Sequence, residues 1–189
     1  MVRSNKFNEN RAQAGSERPV VAISSCLLGE KVRYNGKHKQ DPCIAQYFAA
    51  RVDWKPVCPE VGAGLGVPRP AVQLVGEESA PSALGVENAG LDVTDALAGY
   101  AREMIQELQG VSGYIFKSRS PSCGLTDTSL FDADGHENGF TSGIYARVIT
   151  TALPDLPVID EQRLQDTDSR GLFLQQVLAC WQRQRAGTP

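Results

Sequence analysis

Histidine is scarce: the 189 residues contain only His38 and His136. Two imidazoles are too few for a histidine-rich zinc site. No C-x-x-C pair occurs among the five cysteines, so the usual ligand pairs of structural zinc are missing too. No apolar run approaches the ~20 residues that span a bilayer, so no membrane partner is expected. The opening stretch MVRSNKFNENRAQAGSERP has no apolar core and does not read as a secretory signal. Residues 1–17 are expected to be a disordered polar tail outside the fold. Net charge is low as well: 22 acidic against 19 basic residues give −3. That balance disfavours a protein that grips a phosphate backbone by bulk charge, while leaving room for a local basic pocket. Internal repeats and low-complexity tracts are absent. Gly62-Ala63-Gly64-Leu65-Gly66 lacks the G-x-G-x-x-G spacing, and no GK[ST] follows, so a phosphate-cradling loop is rejected.

What is present is an ordinary globular composition, 41% apolar and 22% charged. The length suits one domain, expected over residues 18–185. A chain of this size buries roughly 70% of its unfolded surface and needs no disulfide to fold. Cysteines without an export signal point to a reducing cytoplasm, where thiols stay free. There they serve as core filler, nucleophiles or metal ligands.

Strands and helices alternate. The apolar runs Pro19–Ile23, Trp54–Val57, Gly113–Phe116 and Leu156–Ile159 predict short buried strands. Asp41-Pro42 starts a helix reaching about Arg51, with Ile44, Phe48 and Val52 facing inward. Asp92 caps a helix over Val93–Leu108, stopped by Gly110. Further helices are expected from Gly143 to about Leu153 and over Ser169–Arg183. The Gly- and Pro-dense stretch 61–76 is expected to be a functional loop. Residues 78–91 read as a polar surface excursion. Residues 126–142 read as loop, with a short hairpin around Asp134-Gly135. This order implies right-handed crossovers and one Rossmann-like α/β domain, its mostly parallel sheet covered by helices on both faces.

Cys26, Cys58 and Cys123 each lie just past the end of a predicted strand, among Gly, Pro or Ser. The carboxyl ends of parallel strands share one sheet edge, and ligands bind there. Thiols far apart in sequence therefore converge. Three soft donors with no fourth cysteine nearby suit an iron–sulfur cluster with one open iron better than structural zinc. Core filling remains the alternative, since cysteine is among the most buried residue types. Cys180 falls on the apolar stripe of the last helix and reads as core. Cys43, in the first turn of a helix, reads as structural or surface.

The segments CLLGEKVRYNG (26–36), VCPEVGAGLGVPRPAVQLV (57–75) and KSRSPSCG (117–124) resemble, in that order, the signature blocks of the thiouracil desulfurase family. The resemblance runs from about residue 19 to 161. It implies a cytoplasmic enzyme that converts 2-thiouracil to uracil and sulfide with no net redox change. It implies a [4Fe–4S] cluster on Cys26, Cys58 and Cys123, whose open iron takes the substrate's sulfur. It places the catalytic acid/base carboxylate on Glu60 and the catalytic serine on Ser120. The chain departs from the pattern at Ala63, where a Gly-Gly pair is expected, and at Gln73, where an acidic residue is.

Around that site, Arg69, Lys117 and Arg119 are candidates for holding substrate or an anionic intermediate, with Arg33 beside them. Tyr34 and Asn35 are candidates for meeting the pyrimidine by stacking and amide hydrogen bonds. The expected partner is a small thiolated pyrimidine; oligomeric state is not legible. The alternatives are desulfuration of thiolated uridine in tRNA, a non-catalytic iron–sulfur binding or sensing protein, and a metal-free cysteine-nucleophile transferase. The basic loop Lys31–Lys39 favours some anion affinity, and the acidic balance disfavours RNA. With two histidines, the last alternative has little to activate a thiol.

Overall fold

A computed structural model describes residues 17–187; the expected polar tail, apart from Glu17, lies outside the described residues. The first strand, β1 (Val20–Ser24), is the centre of an all-parallel sheet A. Its neighbours are β2 (Asp53–Val57) and β5 (Gly113–Phe116), and β5 pairs in turn with β8 (Val158–Asp160). The order is β2-β1-β5-β8. Pro56 is tolerated because β2 is an edge strand.

Alternation along β1 builds both cores at once. Val21 and Ile23 pack with Ile44 and Phe48 of α1 (Pro42–Phe48) and with Phe173 and Val177 of α5 (Thr167–Arg185). Ala22 faces the other way, toward Ala101 and Met104 of α3 (Thr94–Glu107) and Tyr145 and Ile149 of α4 (Ile144–Ala152). Asp41 caps α1 as expected, accepting from the Ile44 amide at 3.1 Å. Helix α3 starts one residue later than expected, so Val93 takes the cap position with no side-chain bond, and Asp92 lies just before it, accepting from the Thr94 amide at 2.9 Å. Helix α1 stops at Phe48, short of the expected Arg51, and Val52 is buried from the turn that follows.

The stretches expected to be irregular are so only in part: residues 63–71 stay a loop, and much of the rest is strand. Strands β3 (Val72–Glu77), β4 (Ala80–Gly85), β6 (Thr128–Phe131) and β7 (Glu137–Thr141) form a second four-stranded sheet B, ordered β4-β3-β6-β7. Two antiparallel hairpins, one turning at the expected Asp134-Gly135, join through the parallel pair β3–β6. Leu74 and Leu130 pack on Leu97 and Ala98 of α3 and Ile144 of α4. Helices α3 and α4 thus lie between the two sheets and tie them into one unit. These strands carry Gly, Ser and Pro and bury one face only, so they lack the continuous apolar run that marks a central parallel strand.

Candidate active site

The chain passes from β1 to β2 on one side of sheet A and then crosses to β5 on the other. The strand order therefore switches between β1 and β5, where open α/β sheets leave a crevice at their carboxyl edge. Cys26 rides a 3-10 turn (Ser25–Leu28) leaving β1, closed by Gly29 in the left-handed region at φ 98°. Cys58 is the first residue past β2 and caps the one-turn helix α2 (Pro59–Gly62). Cys123 hangs on the loop leaving β5. That loop is packed so closely that a Cβ on Gly143 would meet the Ser122 backbone at 2.5 Å, which explains the glycine. The three thiols line one cavity of about 500 Å³. Cys43 is exposed and Cys180 is buried in the core, and neither is part of its lining.

Burial is the main influence on every thiol, and neighbouring thiols add to it at Cys26 and Cys123. Burial pushes Cys26 up to about 11, with Cys58 adding and Lys117 and Arg33 opposing. Burial also raises Cys58, opposed by the Val61 amide and reinforced by the Glu60 charge. Cys123 is raised well above the ordinary thiol range by burial, against a hydrogen bond with Ser24, with Cys26, Cys58 and Glu60 reinforcing the rise. The sulfurs converge, yet they are not a single-ion set. Among the described residues, the group whose ligand atoms all lie within 4.8 Å of one another is Asp132, Asp134 and His136 on an exposed hairpin turn. Thiolates on one tetrahedral ion stand about 3.8 Å apart, given bonds of ~2.3 Å. Three soft donors that are not all within reach of one ion fit a polynuclear iron–sulfur group with one position left open.

Glu60 sits in the first turn of α2 and lines the same cavity. Arg69 reaches its Oε2 through Nε at 2.6 Å and Nη2 at 2.5 Å, and the Ser122 hydroxyl donates to Oε1 at 3.0 Å. The two side chains of the ion pair are 4% and 16% exposed, so the pair is largely shielded from water. Arg69 also donates to the carbonyls of Gly66 (2.7 Å) and Val32 (2.9 Å). Its fork is therefore engaged by protein, and in this structure it holds the Glu60 carboxylate. Lys117 is engaged as well: Nζ lies 2.5 Å from Glu161 and bonds the carbonyl and hydroxyl of Ser118. Burial raises the Glu161 carboxyl, but hydrogen bonds from Lys117 and Ser118 outweigh it, and the net shift is downward.

Ser120 lines the cavity. Its Oγ accepts from the amides of Cys123 (3.1 Å) and Ser122 (3.3 Å), and its own proton makes no hydrogen bond among the described residues. Arg119 lines the cavity from a left-handed backbone at φ 52°, its amide donating to Asp127. Tyr34 is at the rim with the Arg33 guanidinium 5.5 Å from its ring centroid. Asn35 is absent from the lining: its side chain accepts from the Lys37 amide at 3.1 Å and forms a turn, as the Asn-Gly pair also allows. The sequence reading gave no site role to Ser122 or Glu161, whose partners are 62 and 43–44 residues away in sequence. It also missed the sheet B wall, which supplies Gln73, Ser129 and Phe131 to the lining.

A family model described as 2-thiouracil desulfurase matches residues 21–161, well over half of the chain and inclusive of every residue of this cavity. The chain belongs to the 2-thiouracil desulfurase family. Among its relatives, the Bacillus subtilis (strain 168) protein YbbK, itself uncharacterized, is 31% identical over 159 residues, covering 78% of this chain and 99% of its own. A solved structure described as the [4Fe-4S]-dependent thiouracil desulfidase TudS is similar with a TM-score of 0.58 at 27% identity, covering 78% of this chain and 94% of that one. The desulfurase family thus accounts for both sheets and the cavity between them. Among the described residues, no helix is long and apolar enough to cross a membrane.

Proposed function

We propose that this chain replaces the sulfur of 2-thiouracil by oxygen from water, releasing uracil and sulfide, in the cytoplasm. The reading is carried by one observation: three strand-end cysteines meet around a cavity that also holds an anchored carboxylate, in a member of this family. Cys26, Cys58 and Cys123 would hold a [4Fe–4S] cluster, and the desulfidase whose structure is similar is described as [4Fe-4S]-dependent. When bound, such a cluster would supply a Lewis-acidic iron with affinity for a thiocarbonyl sulfur.

The chain's own groups do the rest. Arg69 and Ser122 fix the Glu60 carboxylate by both oxygens. Glu60 takes a proton from the water that attacks the thiocarbonyl carbon. Ser120, its oxygen occupied by two amides, turns its proton toward the ring and steadies the negative charge that builds there. The carbon–sulfur bond breaks with its electron pair on sulfur, and no electron is lost or gained overall. Anaerobically cluster-loaded protein should release uracil and sulfide in equal amounts from 2-thiouracil, and iron-free protein neither. Equal turnover without iron would refute the reading.

A second reading is favoured by charge. Arg33, Lys39 and Arg119 line the cavity, and among the described residues no carboxylate forms an ion pair with them. Unpaired cations suit a thiolated pyrimidine that carries phosphate, including thiouridine in tRNA. Turnover of thiolated tRNA that falls steeply with salt, with none on the free base, would select it.

A further inference from the structure

We propose that the outer face of sheet B reads the pyrimidine ring, with Gln73 and Ser129 bonding its polar edge and Phe131 meeting its face. The proposal rests on the desulfuration reading above and extends it to the residues that select the substrate.

Side chains alternate across a strand. Leu74 and Leu130 are buried against α3 and α4. Gln73, Ser129 and Phe131 therefore occupy the opposite face, and each is half-buried. The parallel pairing Leu74↔Leu130 and Val75↔Phe131 fixes their neighbourhood. Stepped back one position, the same register sets Gln73 beside Ser129. All three residues line the cavity that the three thiols also line. The wall thus stands at the cluster site but belongs to the other sheet.

Neither the Gln73 amide nor the Ser129 hydroxyl makes a side-chain hydrogen bond to a described residue. The adjacent Thr128 hydroxyl does make such a bond, to the Ser120 carbonyl. Unmatched polar groups in a half-buried wall are unfavourable unless a ligand or water answers them. The 4-oxo and N3–H edge of a 2-thiopyrimidine presents one acceptor beside one donor. A carboxamide offers the complementary pair in one plane, and a hydroxyl adds a third bond. Phe131 supplies an aromatic face, and planar rings favour offset stacking or edge contact with one. Neutral groups here also leave the charge of the site to the cysteine side, where Glu60 and Arg69 are already paired.

The test uses anaerobically cluster-loaded protein, with uracil and cytosine as calorimetric probes and 2-thiouracil as substrate. Gln73→Leu keeps the bulk and removes the hydrogen bonds. It should weaken uracil binding and raise KM for 2-thiouracil, each about tenfold, with the iron absorbance of wild type. Gln73→Glu can accept but not donate. It should weaken uracil less than Gln73→Leu does, because it still accepts from N3–H, while shifting preference toward cytosine, whose 4-amino group donates, by about tenfold. A purely structural side chain would weaken both bases alike. Unchanged uracil affinity in Gln73→Leu, or equal loss of both bases in Gln73→Glu, would overturn the proposal. If uracil binding depends on Gln73 while wild type fails to turn over 2-thiouracil, the wall stands and the desulfuration reading falls. If turnover is present and indifferent to Gln73, the reverse holds.

Discussion

The carboxyl edge of sheet A and the outer face of sheet B meet across one cavity, yet they are built on different principles. Sheet A is parallel and buried on both faces, so its strand ends converge by topology, and the residues just past them need only be loop-compatible. That edge carries the thiols and the Glu60 carboxylate. Sheet B is two hairpins laid over α3 and α4, with one face buried and Gln73, Ser129 and Phe131 of the other reaching the cavity. It can change its outward residues without disturbing the core. The contrast separates the labour. The parallel edge holds what the chemistry requires, and the hairpin face is free to vary with the substrate.

The comparison breaks most visibly at the parallel edge. Glu60→Gln should keep the visible absorbance of the loaded protein while uracil formation falls by ~10²–10⁴, the usual loss for a positioned acid or base. Activity that falls only in proportion to lost iron would make Glu60 a structural prop. Ser120→Ala should come next, at about 10²–10³, the range for one lost donor to a developing charge. Near wild-type rates in that variant would leave Ser120 the turn-forming role that its two amide contacts already give it.

Arg69→Ala tests whether the carboxylate must be held. A loss of roughly tenfold to a hundredfold, on kcat more than KM, is expected because geometric misplacement alone has that scale. Added guanidinium should restore part of it; a merely structural arginine would show no such rescue. The smallest effect is expected farthest from the cavity floor. Glu161 clamps Lys117 and Ser118 to the end of β8. Its carboxyl is lowered in the fold, so its stabilising contribution is complete above the ordinary carboxylate range and is lost as pH falls through the lower folded value. Glu161→Gln should lower the unfolding free energy at neutral pH by about 1–3 kcal/mol. The difference from wild type should shrink in acid, and denaturant melts at several pH values would show it. A constant difference would remove the charge from the account.

Much of sheet A was legible in the chain. PVVAI and GYIF announce buried strands because both of their faces pack, and the Ile44–Phe48 spacing announces α1. The three cysteines stood out because each follows such a strand. Sheet B was not legible. VQLVGE and ENGFT bury too little to show a run, and their glycines read as punctuation. Arg69 was recognised as a site residue, but its Glu60 partner was not in view. Its bond to Glu60 depends on how the 63–69 loop folds back over α2, and no spacing rule encodes that. Ser122 and Glu161 escaped for the same reason: their partners lie on other elements, and a lone Ser or Glu carries no signal until the fold brings its partner near.

The central claim is that the three strand ends of sheet A, and no other cysteines, hold an iron–sulfur cluster. Iron and acid-labile sulfide should be counted in anaerobically reconstituted protein carrying one cysteine substitution at a time. Wild type is expected to carry about four irons per chain. Cys26→Ala, Cys58→Ala and Cys123→Ala should each lose most of them, whereas exposed Cys43→Ala and core Cys180→Ser should keep them. Full retention in any of the first three, or loss in Cys43→Ala, would contradict the account.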